Sequence, residues 1–295
     1  MSAPAIDPAL RIGAVTLAVS DVARSAEFYE RVLGLSASGD GTRLGAGEDE
    51  ALVLSPIDGA HAVDPRRTGL FHVAWLHPSR AALAATVRRV IDAGWRFTGA
   101  SDHGVSEALY LNDPDGLGIE IYADRPRDQW ERPAGGDGVV MVTLPLDVED
   151  LLAQDDGPPD PDIAPGTHVG HVHMKVSDVP RATEFYRDAL GFALEAAIPS
   201  AAFLAAGGYH HHIGLNSWQS AGSSRAGEDE PGLRLVEFEL GGGERALDAL
   251  AASGALDPRQ ARTSEQGQAG GDRDSDGVRV VDPDGQPLLF SARAD

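Results

Sequence analysis

The sequence predicts an α+β fold of four successive units, each a strand, a helix and then further strands. Three observations carry this prediction. The chain has 295 residues, a length that suggests two domains of ordinary size. Residues 12–34, IGAVTLAVSDVARSAEFYERVLG, recur at 169–191 as VGHVHMKVSDVPRATEFYRDALG, with an offset of 157 throughout. A looser second unit follows in each half, and both carry the same turn, Asp113-Pro114-Asp115-Gly116 and Asp282-Pro283-Asp284-Gly285. Such internal repetition bounds the fold before any local reading begins.

The elements follow in order. Alternating apolar positions open each copy of the repeat and predict a strand. Asp21 and Asp178 stand where a helix N-cap belongs. Val22, Tyr29 and Val32-Leu33 share one helical face, and Gly34 and Gly191 stop the helix. The ordinary reading of the aromatics on that face is core packing. In the second unit, GLFHVAWLHPSRAALAATVRRVIDAG (69–94) is a strand, then a helix with an apolar stripe at Leu83, Val87 and Val90-Ile91. Ala108–Leu111 is a strand, the Asp-Pro-Asp-Gly turn follows, and Ile119–Tyr122 closes the unit. The fourth unit repeats this with a strand at 232–240, a helix at 244–253 and a strand at Leu288–Phe290. The units span about 11–60, 65–124, 168–218 and 232–292. They group into two domains, 1–124 and 167–295, joined by a linker at 125–166 rich in Pro and Gly. Within the linker, Val139–Leu144 reads as an extra strand and Val148–Ala153 as a short helical turn. Segments 220–230 and 264–277 are polar and read as surface loops.

Composition excludes several functions. Forty-six acidic against 24 basic residues give a net charge of −22. A surface this negative repels phosphate backbones and anionic lipid, so neither nucleic acid nor a membrane surface is an expected partner. Cysteine is absent, which rules out disulfides, thiolate nucleophiles and Cys-held metals. Any metal must sit on His, Asp or Glu. The N-terminus lacks a signal-peptide pattern, and no apolar stretch reaches the 18 or so residues that span a bilayer. The expectation is a soluble cytoplasmic protein.

Ten histidines are present, and the ordinary reading of any one is a surface or core side chain. Their placement changes that reading. His171 and His173 lie two apart on the opening strand of the third unit, and so on one face. His72 holds the equivalent place in the second unit. Glu120 stands between Ile119 and Ile121 on that unit's closing strand. If buried there, a carboxylate needs a cation or hydrogen bonds. His210-His211-His212 precedes Ile213 at the end of the third unit; strand alternation would put only the middle one, or the outer two, on the concave face. Two His and a carboxylate with open positions is the ligand set of non-haem Fe(II) oxygenases, and a spare His nearby serves as acid or base.

The chain resembles the vicinal oxygen chelate superfamily, and within it the catechol 2,3-dioxygenase type of extradiol dioxygenase. The motifs that carry the resemblance are GLFHVAW (69–75), DHGVSEALYLNDPDGLGIEIYADRPR (102–127), GHVHMKVSD (170–178) and GGYHHHIGLNSW (207–218). The resemblance implies two half-closed sheets, each from a pair of βαβββ units, with a metal in a concave pocket. It implies a mononuclear Fe(II), or Mn(II), that binds a catechol and O2. In that family the third and fourth units supply the ligands. Here His171 is kept, but Leu235 and Leu289 occupy the other two positions, while Ala14 replaces the first unit's His. Pairing unit two with unit three restores the whole set, His72, Glu120 and His171. Pairing one with four leaves an apolar dead site. The crossed pairing, within one chain or between two, is therefore the expected one.

The same resemblance gives Tyr110, ten residues before Glu120, and His103 as groups that hold substrate oxygens. It points to His211 as the acid/base, anchored by Ile213, and leaves His210 and His212 in supporting or structural roles. His173 is a pocket wall or simple packing. A homo-oligomer stays open. Two rivals exist in the same fold. A glyoxalase-like isomerase needs a second carboxylate where the triple histidine stands. A non-enzymatic antibiotic-binding protein of the bleomycin-resistance type would normally lack metal ligands.

Overall fold

The computed structural model describes residues 5–47, 49–155, 157, 160–252, 273–274 and 277–293. The first unit comprises β1 (Arg11–Val19), α1 (Val22–Phe28), β2 (Ser36–Ala37), β3 (Arg43–Ala46) and β4 (Asp49–Pro56). The second comprises β5 (Gly69–His77), α2 (Arg80–Asp92), β6 (Phe97–Asp102), β7 (Ser106–Asn112) and β8 (Gly118–Asp124). After a connection holding α3 (Val148–Leu152), the third unit is β9 (His168–Lys175), α4 (Val179–Glu184), β10 (Ala193–Ile198), β11 (Ala201–Ala205) and β12 (Ile213–Asn216). The fourth is β13 (Gly232–Leu240), α5 (Gly243–Ala252), β14 (Arg273–Asp274), β15 (Gly277–Val281) and β16 (Pro287–Ala292).

The caps read from the repeat are present. The Asp21 and Asp178 carboxylates accept the N–H groups of Arg24 and Arg181 at 3.0 and 2.9 Å. Both helices then loosen into one π-helical turn, at Tyr29–Leu33 and Phe185–Ala189. Gly34 ends the first of these at φ 78, a left-handed conformation that costs glycine little.

The fold is α+β with two mixed eight-stranded sheets, ordered β14-β15-β16-β13-β1-β4-β3-β2 and β10-β11-β12-β9-β5-β8-β7-β6. Each is sewn at its middle by one antiparallel join, β1 with β13 and β5 with β9. The first unit thus shares a sheet with the fourth, and the second with the third. This is the crossed pairing that the scatter of ligand residues predicts.

A second set of contacts runs in sequence order. Asp113 accepts the N–H groups of Asp115 and Leu117 at 2.9 and 2.8 Å and faces the Tyr29 hydroxyl at 3.5 Å. Asp282 repeats this with Asp284, Gln286 and Tyr186 at 2.9, 2.8 and 3.1 Å. Asp115 takes Ser20 and Arg24, and Asp284 takes Ser177 and Arg181. Each Asp-Pro-Asp-Gly turn therefore clasps the helix of the preceding unit, which belongs to the other sheet.

The clasps carry a pH dependence. Burial pushes the Asp113 carboxyl up to about 7 and Asp282 to about 6. An unfolded Asp titrates near ~4. Between roughly 4 and 7 the folded state thus holds protons that the unfolded chain has lost, and stability falls as pH rises through that window. Asp113→Asn keeps an acceptor for both turn N–H groups and cannot ionise. It is expected to melt a few degrees above the parent near pH 8 and level with it near pH 4. Equal shifts at both pH values, followed by circular dichroism, would refute this.

The connecting segment is pinned rather than free. Arg88 of α2 donates to the carbonyls of Leu152 and Asp155, and buried Arg89 to those of Leu33, Asp160 and Asp162. The expected helical turn at 148–153 is α3. The expected strand at Val139–Leu144 is instead a lip on the edge of β6, held by a bridge between Asp102 and Leu144 and by the Val142 N–H on the His103 carbonyl. Pro145 has no N–H to extend the pairing. Segment 220–230 is a loop that touches Thr68 through Arg225. The polar segment expected at 264–277 lies largely outside the described residues; its Arg273–Asp274 pair is β14. Among the described residues no helix is long and apolar enough to cross a membrane.

Candidate active site

The site grows from three neighbouring strands, β9, β5 and β8. Ala74 of β5 pairs with His171 on one side and with Glu120 on the other. His72 lies two residues along β5 and therefore on the same face. The small Ala74 side chain leaves the space that the three larger groups fill. Tyr122, which packs 4.9 Å from the His171 ring, needs a bare backbone on β9: a Cβ at Gly170 would meet its hydroxyl at 1.9 Å. Glu120 Oε2 lies 2.9 Å from His72 Nε2 and 3.2 Å from His171 Nε2, and all three residues are buried. Their ligand atoms fall within 4.8 Å of one another.

These residues fit a divalent metal. Adjacent ligands about 2.1 Å from one ion stand ~3 Å apart, which matches both spacings. Among the described residues His72 Nε2 has no hydrogen-bond partner of proper geometry although the Glu120 carboxylate is 2.9 Å away; a metal ion would give that buried nitrogen a partner. Burial pushes the His171 imidazole down to about 4, against the pull of Glu120. Burial also works to raise Glu120, but the two imidazoles outweigh it and keep the carboxyl ionised. A buried carboxylate beside a neutral imidazole lacks a full cation, and a metal ion supplies one.

Beside this cluster, Tyr110 pairs directly across from Glu120 in the β7–β8 ladder. His103 Nδ1 lies 2.7 Å from the Val142 carbonyl, and its Nε2 lies 2.7 Å from the Tyr110 hydroxyl. A carbonyl only accepts, so His103 donates through Nδ1; as a neutral ring it accepts the Tyr110 O–H at Nε2. The Tyr110 oxygen is left as an acceptor. Burial raises its proton affinity further, so it stays a phenol.

The three histidines at 210–212 lie in the turn before β12, not in a strand. Strand alternation does not apply there, and all three are buried in separate tasks. His211 stacks at 4.0 Å between ring centroids on His171 and lines the cavity. Its Nδ1 meets His210 Nδ1 at 2.7 Å, and His210 Nε2 meets Asp124 Oδ1 at 2.9 Å. The carboxylate makes His210 donate through Nε2. In that tautomer His210 accepts at Nδ1, and His211 is left with a lone pair on Nε2. Burial, with His171 and His210 alongside, lowers the proton affinity of His211 and keeps the ring neutral. His212 accepts the Ala206 N–H at 3.2 Å and ties the turn to β11.

Asp124 escapes the sequence reading. Its signal was there: Glu120, Tyr122 and Asp124 alternate along β8 and share a face. The remaining histidines serve elsewhere. Buried His77 bonds Thr86 at 2.9 Å, and exposed His61 sits near Asp229. His173, by contrast, lines the cavity, and among the described residues its buried Nε2 has no hydrogen-bond partner. The cavity itself measures about 640 Å³ and holds His72, Glu120, His103, Tyr110, His173 and His211 in its walls. The equivalent strands of the other sheet carry Ala14, Leu235 and Leu289, which cannot bind a metal.

Known proteins resemble this chain in sequence and fold. The model of the Glyoxalase/Bleomycin resistance protein/Dioxygenase superfamily matches residues 11–121 and 168–281. Catechol-2,3-dioxygenase of Bacillus subtilis is 42% identical over 214 residues, which covers 70% of this chain and 74% of that protein. Among solved structures, a Bacillus subtilis protein superposes with a TM-score of 0.60 at 12% identity, covering 99% of this chain and 87% of its own. Glyoxalase I from Zea mays gives 0.56 at 17% identity, covering 96% and 92%. At such identities the superpositions speak for the fold alone.

Proposed function

This chain belongs to the glyoxalase/bleomycin resistance protein/dioxygenase superfamily, and from that premise we propose that it is an extradiol ring-cleaving dioxygenase of the catechol-2,3-dioxygenase type. It opens a catechol beside its two hydroxyls and inserts both atoms of O2, giving a muconic semialdehyde type of product. Both oxygen atoms enter the product, so no outside reductant is consumed. The observation that carries this is the buried set His72, Glu120 and His171 at the head of a cavity, with His211 poised beside it.

In this proposal His72, Glu120 and His171 hold Fe(II), or Mn(II) in its place. When bound, the metal orients the catechol and O2 and passes electron density from ring to oxygen. The chain's own groups do the rest. Tyr110, steadied by His103, accepts a hydrogen bond from one diol oxygen. His211 takes the proton of the other hydroxyl at Nε2 and returns it as the ring opens. Its Nδ1–H points at His210, so the His210–Asp124 pair steadies the imidazolium that forms. Glu120 is the single carboxylate in the described cavity wall, which counts against a glyoxalase-type isomerase needing two.

Anaerobic purification followed by metal analysis and addition of catechol in air tests the proposal. The expected result is one metal per chain and the growth of a near-visible semialdehyde band. Metal-loaded protein that opens no catechol would overturn it.

A further inference from the structure

We propose that the substrate is an uncharged catechol bearing a bulky apolar ring substituent, and that carboxylated catechols are excluded. The inference rests on the ring-cleavage proposal above. It draws on the part of the cavity that the chemistry leaves unused.

A diol ring is small, and cavities of roughly 300–1,000 Å³ enclose ligands several times larger. The measured volume of about 640 Å³ leaves room beyond the metal cluster. That room is walled by Phe71, Met141, Val142, Ile198, Phe203 and Trp218. An aromatic run leads outward from the metal ligands. Phe71 packs 5.1 Å from His72 and edge-on to Trp218 at 5.3 Å, and His173 packs on Phe203 at 5.8 Å. The run ends at the mouth, where Ile198 and Trp218 remain 56% and 50% exposed. Exposed apolar surface converging on a cavity is what a bound apolar group removes from water.

The charge pattern points the same way. No Lys or Arg stands in the described cavity wall. The only lysine, Lys175, gives its Nζ to the Pro65 carbonyl at 3.1 Å. Arg125 is engaged by Asp102 and Glu107. A substrate carboxylate would be desolvated with no Lys or Arg in the described wall to pair it, and the net charge of −22 would slow its approach.

The test compares kcat/KM of the metal-loaded protein for catechol, 3- and 4-phenylcatechol, and 3- and 4-carboxycatechol. The better phenylcatechol is expected to exceed the better carboxycatechol by about 10²-fold. A ratio below ten would overturn the inference while leaving ring cleavage intact. Anaerobic titration of the same compounds reads their binding without turnover. If none is cleaved, the ring-cleavage proposal fails alone, and the binding ratio still decides the pocket's preference. Ile198→Arg adds a cation at an exposed position of the mouth and should narrow the ratio at least about tenfold. An unchanged ratio would mean that the mouth does not meet the substituent, and the inference would fall.

Discussion

Glu120→Ala is expected to strip the protein of metal, from about one ion per chain to less than a tenth, and to end turnover with it. Glu120 is the sole carboxylate of the cluster and lies 2.9 and 3.2 Å from the two imidazoles. Without it, His171 is a neutral ligand in a buried site, and the charge of a divalent ion has nothing to offset it. The other sheet offers no refuge, since Ala14, Leu235 and Leu289 fill its equivalent positions. Elemental analysis after dialysis reads the outcome. Full occupancy in the variant would place the metal elsewhere in the chain and remove the main support for the proposed chemistry.

His211→Asn should separate binding from catalysis. Metal content is expected to stay near one per chain, while turnover drops by about 10²–10⁴, the usual loss when an acid/base group is removed. The substitution takes away the imidazole whose ring centroid lies 4.0 Å from that of His171. Parallel metal analysis keeps the two effects apart. Undiminished turnover would transfer the proton role away from His211.

Much of this was legible in the sequence because duplication exposes what does not match. An offset of 157 aligns Ala14 with His171, so a polar residue appears where its copy needs none. Together with Leu235 and Leu289 standing where the resemblance calls for ligands, and His72 and Glu120 supplying them in the second unit, that contrast points to the crossed sheets. Glu120 is legible because a carboxylate between two isoleucines on a strand, if buried, needs a cation or hydrogen bonds. Other parts depend on contacts that no local pattern records. Asp124 reaches His210 across 86 residues of chain. The lip formed by Met141 and Val142 reads locally as an extra strand in the linker, yet it walls the cavity and orients His103. The triple histidine misleads because its apolar neighbours suggest a strand, whereas Gly207 and Gly208 at φ 60 and 66 turn the chain just ahead of it.

The β5–β9 seam also changes what the metal means for the whole molecule. His72 and Glu120 come from one half of the chain and His171 from the other. An ion held by all three is a removable cross-link between the halves. By linkage, each tenfold excess of free metal over its dissociation constant adds about 1.4 kcal/mol to the folded, joined state. The catalytic centre is then also a clamp whose grip follows metal supply. A cell short of the metal would lose cohesion in this protein along with its chemistry, at the same seam.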